Sequence, residues 1–438
     1  MRIYIPVEVK TRELKAKVLL SQKLIHAGFE VFLGRKAEIQ RLCEYARPGI
    51  FLAPGAFKNL EQYFKRLKSR GFLIAVNEEE GLVTYKSKMY EEMRLDRTVL
   101  SLVDLFIAWG DEGRQTVSNF MQSEKFNCIS IGNPRMDLLK KPYLHVFEEE
   151  INCLKERYGN FLLFPSSFSS VNHFDPSIDY IEELKKKKTL RSQRSVENFS
   201  RYFKVKRDTF QLYLKAIETL AADMPYKNFV IRPHPSESQD AYKALELSKN
   251  NVFVDGRLSI QPWILACDGV VHHYCTTAIE AALLRKPIFG FRPFPDKLSE
   301  KEFPFNISEV SKSIPELKRS ISKLDSGRVD FSLSSDQLRE IRHHLSGVDS
   351  DSISTELSSC LLNLAKKQKF AQNNIDLKSV LNFVRDAVPG RRNNQYINHK
   401  FDAISIEEIC KTLSYFSKNI DSYYIKIYKK NIVRMRLK

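Results

Sequence analysis

Short apolar runs recur from the start of this chain to about Gly290, and between them the apolar positions fall three and four residues apart. No other feature limits the fold so sharply. Arg2-Ile3-Tyr4-Ile5-Pro6-Val7 reads as a strand. The pattern Leu14, Val18, Leu19, Leu24, Ile25 that follows is that of a helix with one buried side, and Ala27-Gly28 stops it. Phe29-Glu30-Val31-Phe32-Leu33-Gly34 returns to strand and closes a βαβ unit. The alternation continues through residues 49–55, a helix near 59–70, and strands at 72–76, 105–110 and 127–131. Parallel strands need long crossovers, so a succession of such units predicts an α/β protein whose sheet is covered by helices.

At 438 residues the chain exceeds one ordinary core, at ~150 residues per domain. A second series of strands begins at Phe161-Leu162-Leu163-Phe164 and runs through Asn228-Phe229-Val230-Ile231, Val252-Phe253-Val254, Gly269-Val270-Val271 and Pro287-Ile288-Phe289-Gly290. A polar, lysine-bearing stretch near 138–158 separates the two series. We therefore expect a Rossmann-like domain over residues 1–145, a second over 146–320, and a helical extension over 321–438 that ends in the basic, aromatic tail SYYIKIYKKNIVRMRLK. The basic insert from Lys185 to Arg207 reads as a helix plus a mobile connection. Open parallel sheets bind ligands outside the carboxyl ends of their strands, so the two sheets are expected to face a shared cleft with the functional residues at strand ends.

The formal charge of +17 favours anionic partners, among them nucleic acid, anionic lipid, nucleotide-sugars and acidic polysaccharides. The basic runs sit in an insert and a tail, not interleaved with aromatics along one face, which argues against a nucleic-acid-binding protein. No apolar stretch reaches the ~18 residues that span a bilayer and the start lacks a signal-peptide layout, so a cytoplasmic location is expected. The tail, with Tyr and Ile between Lys and Arg, reads either as a solvated helix or as a segment resting on an anionic membrane surface. Seven cysteines without a CxxC pair fit reduced thiols. Asp349-Ser350-Asp351 reads as an Asx turn, and no metal is expected. GxGxxG, Walker A, HExxH and GxSxG are all absent.

Three stretches at strand ends carry candidate chemistry. Glu78-Glu79-Glu80-Gly81 follows a strand of the first sheet, with Gly81 permitting a sharp turn. It is either a solvated acidic turn or a source of a general base, because a carboxylate beside another has its ionisation disfavoured. Ile231-Arg232-Pro233-His234-Pro235 ends a strand of the second sheet, and the two prolines stiffen the backbone so that the His234 imidazole is aimed. In Val270-Val271-His272-His273-Tyr274-Cys275-Thr276-Thr277-Ala278-Ile279-Glu280 a strand runs into a helix through a hydroxyl pair, a suitable place for a phosphate. Thr277-Ala278-Ile279-Glu280 is also a capping box, so Glu280 is read either as a cap or as a ribose ligand. One of His272 and His273 is expected in the core, since neighbours on a strand face opposite sides. Ser166 and Ser167, within Phe164-Pro165-Ser166-Ser167-Phe168, either line a phosphate or sugar pocket or form a plain turn.

An acidic pair before glycine, a His-Pro and a hydroxyl pair, in that order across two βαβ domains, resemble the motifs of bacterial sialyltransferases, polysialyltransferases and capsule-type Kdo transferases of the GT-B fold. Here they are Glu79-Glu80-Gly81, His234-Pro235 and Thr276-Thr277. Glu280-Ala281, Lys286-Pro287, Arg12-Glu13 and the NEEEG stretch also look like bacterial surface-carbohydrate biosynthesis proteins. The chain departs from the sialyltransferase pattern at Cys275 and Thr276, where serines are frequent, and in the extra Glu78. The resemblance spans residues 1–310 and implies a metal- and cofactor-independent transfer of a nonulosonic or Kdo-type sugar from a CMP donor to a lipid-linked or polysaccharide acceptor. It implies Glu80, or else Glu79, as general base and His234 as stabiliser of the departing phosphate. Thr276, Thr277, Pro235, Ser166 and Ser167 would hold the nucleotide phosphate, Glu280 the ribose, and Arg12 and Glu13 the acceptor. A CDP-linked polyol-phosphate transferase of the teichoic-acid type, which also keeps a His-Pro, is the rival enzyme reading.

Overall fold

The computed structural model describes residues 1–82, 89–123, 125–186, 193–296, 302–325, 332–368, 403–429 and 431–438. Part of the basic insert, 187–192, and the end of the NEEEGLVTY stretch, 83–85, lie outside the described residues. Two compact units form. The first combines Met1–Leu82, Arg94–Val146 and Arg342–Lys438, and the bulk of the second is Phe147–Ile341.

As far as Phe291 the strands fall where the apolar runs place them. β1 (Arg2–Val7), β2 (Glu30–Arg35), β3 (Ile50–Ala53), β4 (Leu73–Asn77), β5 (Leu105–Ala108) and β6 (Cys128–Ser130) belong to the first unit. The second unit holds β7 (Phe161–Pro165), β8 (Asn228–Arg232), β9 (Val252–Val254), β10 (Gly269–His272), β11 (Ile288–Phe291) and β12 (Glu309–Ser311). β13 (Tyr423–Lys429) and β14 (Ile432–Leu437) close the chain. Among the described residues these make an eight-stranded sheet, β13-β14-β2-β1-β3-β4-β5-β6, and a six-stranded sheet, β12-β11-β10-β7-β8-β9.

Both sheets are doubly wound, parallel throughout except for the last hairpin. Winding reverses direction between β1 and β3 in the first unit and between β7 and β10 in the second. At such a switch point neighbouring crossovers leave to opposite faces and open a crevice at the carboxyl ends of the strands. Both candidate sites lie there.

The C-terminal residues contain the expected helices, but they do not stand apart. Helices Ile353–Lys366 and Ile406–Ser414 pack on helix Lys10–His26, where Lys10 Nζ donates to the Ala403 carbonyl at 2.8 Å and Gln22 Nε2 to that of Phe416 at 3.2 Å; Glu13, Lys17, Ser21 and Gln22 are all buried. Asp137, wholly buried, fastens this arrangement by accepting from the backbone N–H groups of Ile353 (2.8 Å) and Ser354 (2.7 Å) and from Ser352 Oγ (3.2 Å). These are orphan donors of a helix start, which a carboxylate satisfies well.

The basic tail is a hairpin, not a helix. Ile425 and Ile427 alternate with Lys426 and Tyr428, a period of two, and Asn431 makes the turn with φ +62°. β14 docks antiparallel on β2, pairing Ile432 with Gly34. A Cβ at Gly34 would strike the Asn431 carbonyl, so glycine is what lets the hairpin approach. Among the described residues no helix is long and apolar enough to cross a membrane.

In the second unit the helix Gln193–Asp223 lays Phe210, Tyr213, Ile217 and Leu220 on a core that includes Leu162, Phe164, Phe229 and Ile231. Both faces of this sheet are covered, which explains why His272 and His273 are both buried, where one alone was expected.

Candidate functional site

In the first unit the acidic run leaves the carboxyl end of β4 and each carboxylate meets a cation. Glu79, 7 % exposed, lies 3.1 Å from Lys17 Nζ. Lys17 also donates to Glu13 Oε2 (2.7 Å) and to the Pro6 carbonyl (2.8 Å), so all three ammonium donors are used. Glu78 accepts from Arg94 Nη2 at 2.6 Å. The Glu80 side chain is 53 % exposed and sits between Arg12 (3.4 Å) and Arg94 (3.2 Å). The like-charge crowding expected from three successive glutamates is therefore relieved by Lys17, Arg12 and Arg94.

Glu13 faces inward and fastens the β1–helix turn. Its oxygens accept from the Glu8 and Val9 N–H groups at 3.0 and 3.1 Å and from Arg12 at 2.9 Å. Burial alone would raise its pKa, but the Lys17 ammonium and the Arg12 guanidinium prevail and hold it at about 2. Arg12 spans Glu13 and Glu80. Asn133, from the loop after β6, donates to the Glu78 carbonyl and to Glu79 Oε2, both at 3.4 Å. Glu79, Lys17, Glu13, Asn77, Asn133 and Arg135 line a cavity of about 10 Å³, room for a single water-sized group.

In the second unit three strand-end loops are tied to each other. Ser166 Oγ and Tyr242 Oη both donate to Glu237 Oε2 at 2.5 Å, and the Phe168 N–H donates to Glu237 Oε1 at 2.6 Å. Glu237 follows the His-Pro, so this buried carboxylate clamps the loop after β8 to the loop after β7. Burial raises its pKa against those three donors. Ser167 Oγ donates to the His273 carbonyl at 3.1 Å, joining the loop after β10. Phe168 stacks on His273 with rings 5.6 Å apart.

His234 is exposed, and its Nδ1 accepts from the Ser236 N–H at 3.2 Å. A neutral ring that accepts at Nδ1 carries its proton on Nε2, the tautomer suited to donating to a phosphate oxygen. Thr276 is half-buried and Thr277 buried, at the start of the helix Thr277–Leu283. Thr276 makes no side-chain cap there. One oxygen of Glu280 accepts from Gln261 Nε2 at 2.7 Å, a partner outside the capping box. Glu280 also acts on the half-buried Arg232, whose pKa is lowered to about 10 by desolvation. His272 is not placed to titrate near neutrality, because burial lowers it to about 3.

Four participants were not singled out from sequence: Lys17, Asn133, Arg94 and Glu237. Lys17 had a signal in the Glu13/Lys17 spacing, one helical turn apart. Glu237 had none, since only Tyr242 lies near it in the chain and its other partners, Phe168 and Ser166, are 69 and 71 residues away.

No protein-family model matches this chain, and no curated protein matches it. Solved structures do. The UDP-GlcNAc 2-epimerase of Methanocaldococcus jannaschii superposes with a TM-score of 0.53 at 10 % identity, covering 83 % of this chain and 100 % of that one. The same enzyme with UDP-GlcNAc and UDP gives 0.52 at 11 % identity, covering 83 % and 100 %. The wall teichoic acid polymerase TagF gives 0.51 at 10 % identity, covering 84 % of this chain and 90 % of that one. Likeness at a tenth identity is a likeness of architecture, and the chain has the GT-B-like fold of these enzymes, built from two Rossmann-like units.

Proposed function

We propose that this chain is a transferase of bacterial surface-glycan assembly that moves a Kdo- or sialic-acid-type sugar from a CMP donor to a polysaccharide or lipid-linked acceptor, without metal or cofactor. The observation that carries the reading is the second unit's switch point. There Ser167, Thr276 and Thr277 stand on strand-end loops, Glu237 tying the loop after β7 to the His-Pro turn and Ser167 tying it to the loop after β10. That arrangement suits a phosphate, with His234 Nε2–H and the hydroxyls meeting the charge that grows on the leaving CMP, and preorganised donors of this kind usually supply the largest rate term. Pro235 stiffens the turn, Ser166 anchors it and Glu280 takes the ribose.

On the acceptor side the proposed base is Glu79, which lines the small cavity, while Glu80 is held between two guanidinium groups. The acceptor hydroxyl gives its proton to Glu79 as its oxygen bonds to the anomeric carbon. The bond from that carbon to the phosphate oxygen breaks, and CMP departs with the electron pair. Arg12 anchors the acceptor and Glu13 holds the Arg12 and Lys17 side chains in place. We also propose that the exposed Lys426, Tyr428 and Arg436 of the hairpin rest on an anionic membrane surface, which co-sedimentation with anionic but not zwitterionic vesicles would support.

The likeness to TagF favours a second reading, transfer of a polyol phosphate from a CDP donor. Thermal-shift measurement with CMP, CDP, UDP and GDP, followed by turnover of CMP-Kdo, CMP-sialic acid and CDP-glycerol with and without chelator, separates the two. A clear preference for UDP or GDP refutes both. Glu79→Gln is expected to lower kcat by ~10²–10⁴ with nucleotide affinity retained. If Glu80→Gln does so instead, the base is Glu80.

A further inference from the structure

Lys206, midway along the helix Gln193–Asp223, is a buried ammonium that makes no ion pair among the described residues. It is 3 % exposed, and its Nζ donates to Tyr274 Oη at 2.9 Å. Around it stand the rings of Tyr274, Phe168 and Tyr202, at 4.2, 5.1 and 5.9 Å from Nζ to the centroids. Among the described residues no carboxylate lies within ion-pair distance of it. The carboxylate that acts on it electrostatically is Glu237, whose oxygens are taken by Ser166, Tyr242 and the Phe168 N–H.

Burying a charge this way is costly, and ring faces and one phenol offset it only in part. Burial accordingly lowers the Lys206 pKa, against the opposing influence of Tyr202, Glu237 and Cys275. The position is not incidental. Phe168 follows Ser166-Ser167, and Tyr274 precedes Cys275-Thr276-Thr277. Tyr274 itself has φ +38°, a strained value for a non-glycine residue that its surroundings must hold. The field of Lys206 reaches His273 and Cys275 on the same loop.

We infer that Lys206 is the buried positive charge of a phosphate-binding site built from the loops after β7 and β10, where it holds Tyr274 and supplies the field that an incoming mono- or diphosphate neutralises. It is a positioning residue: Thr276 meets the phosphate, and Lys206 acts from behind it through Tyr274. The inference rests on the nucleotide-dependent reading of this unit and adds the source of its charge.

Isothermal titration of the full chain tests it. The probes are inorganic pyrophosphate, the nucleotide that binds the wild type most tightly, and the nucleoside with the same base. Lys206→Met keeps the stem and removes the charge, and a buried ion replaced by an apolar group need not destabilise. It is expected to weaken pyrophosphate and nucleotide at least tenfold while nucleoside affinity stays within about twofold. Tyr274→Phe, which removes only the anchoring hydroxyl, is expected to act the same way by a few-fold, and it stands in if the methionine variant does not fold. Unchanged pyrophosphate and nucleotide affinity in both variants overturns the inference, as does an equal loss for nucleoside and nucleotide, the signature of a structural role. A wild type that binds pyrophosphate but no nucleotide sinks the donor reading and leaves the inference standing.

Discussion

Removing the Lys17 ammonium should be among the most damaging single changes to the first unit. The Glu13 and Glu79 side chains, 1 % and 8 % exposed, share that ammonium at 2.7 and 3.1 Å. Lys17→Met leaves both carboxylates in the interior with their common cation gone. Losing one partner of a buried ion pair costs about 3–5 kcal/mol. For a unit of roughly 230 residues, at about 2–4 °C per kcal/mol, the melting transition should fall by ~6–20 °C. The loss should also depend on pH. Glu13 is held at about 2 against an ordinary value of 4.5, so its contribution is complete above pH 4.5 and disappears as pH falls towards 2. The gap between variant and wild type is therefore widest near pH 7 and narrows in acid, where the stranded carboxylates can be protonated. Scanning calorimetry at pH 7 and pH 4 measures both effects, and adding Glu79→Gln to Lys17→Met should recover part of the loss. A variant melting within about 1 °C of wild type at pH 7, or a gap that widens in acid, would refute the buried-triad argument.

Asp137→Ala removes the acceptor of two helix-start N–H groups and one hydroxyl, and it should destabilise the first unit by about 2–4 kcal/mol. Limited proteolysis should then cut within 342–368 sooner than in wild type; unchanged cleavage kinetics would count against the anchoring role. His272 is held neutral, its pKa lowered from 6.5 to about 3 by burial, so it favours the folded state above pH 6.5 and that advantage is lost as pH falls towards 3. At pH 4.5 the loss amounts to about 3 kcal/mol. His272→Gln, keeping a polar partner for Ser308, should flatten the pH dependence of urea unfolding between pH 6.5 and 4.5, and an unaltered slope would contradict the assignment.

The strands of both parallel sheets up to β11 were legible in the sequence because a strand or helix announces itself through local periodicity, and so were the strand-end positions of Glu79, His234 and Thr276. The hairpin was legible in principle, in the alternation of Ile425 and Ile427 with Lys426 and Tyr428, but its basic composition suggested a tail. Composition does not say which edge a strand joins, and here that edge is β2, some 400 residues earlier in the chain. The chemistry of the sites is more strongly tertiary. Three adjacent glutamates read as a crowded acid cluster until Lys17, Arg12 and Arg94 are brought beside them from other elements. Lys206 reads as one more basic residue of an insert until the fold closes Phe168, Tyr202 and Tyr274 around it. Periodicity is a property of neighbours along the chain, whereas the burial and pairing of a charge depend on segments that only folding brings together.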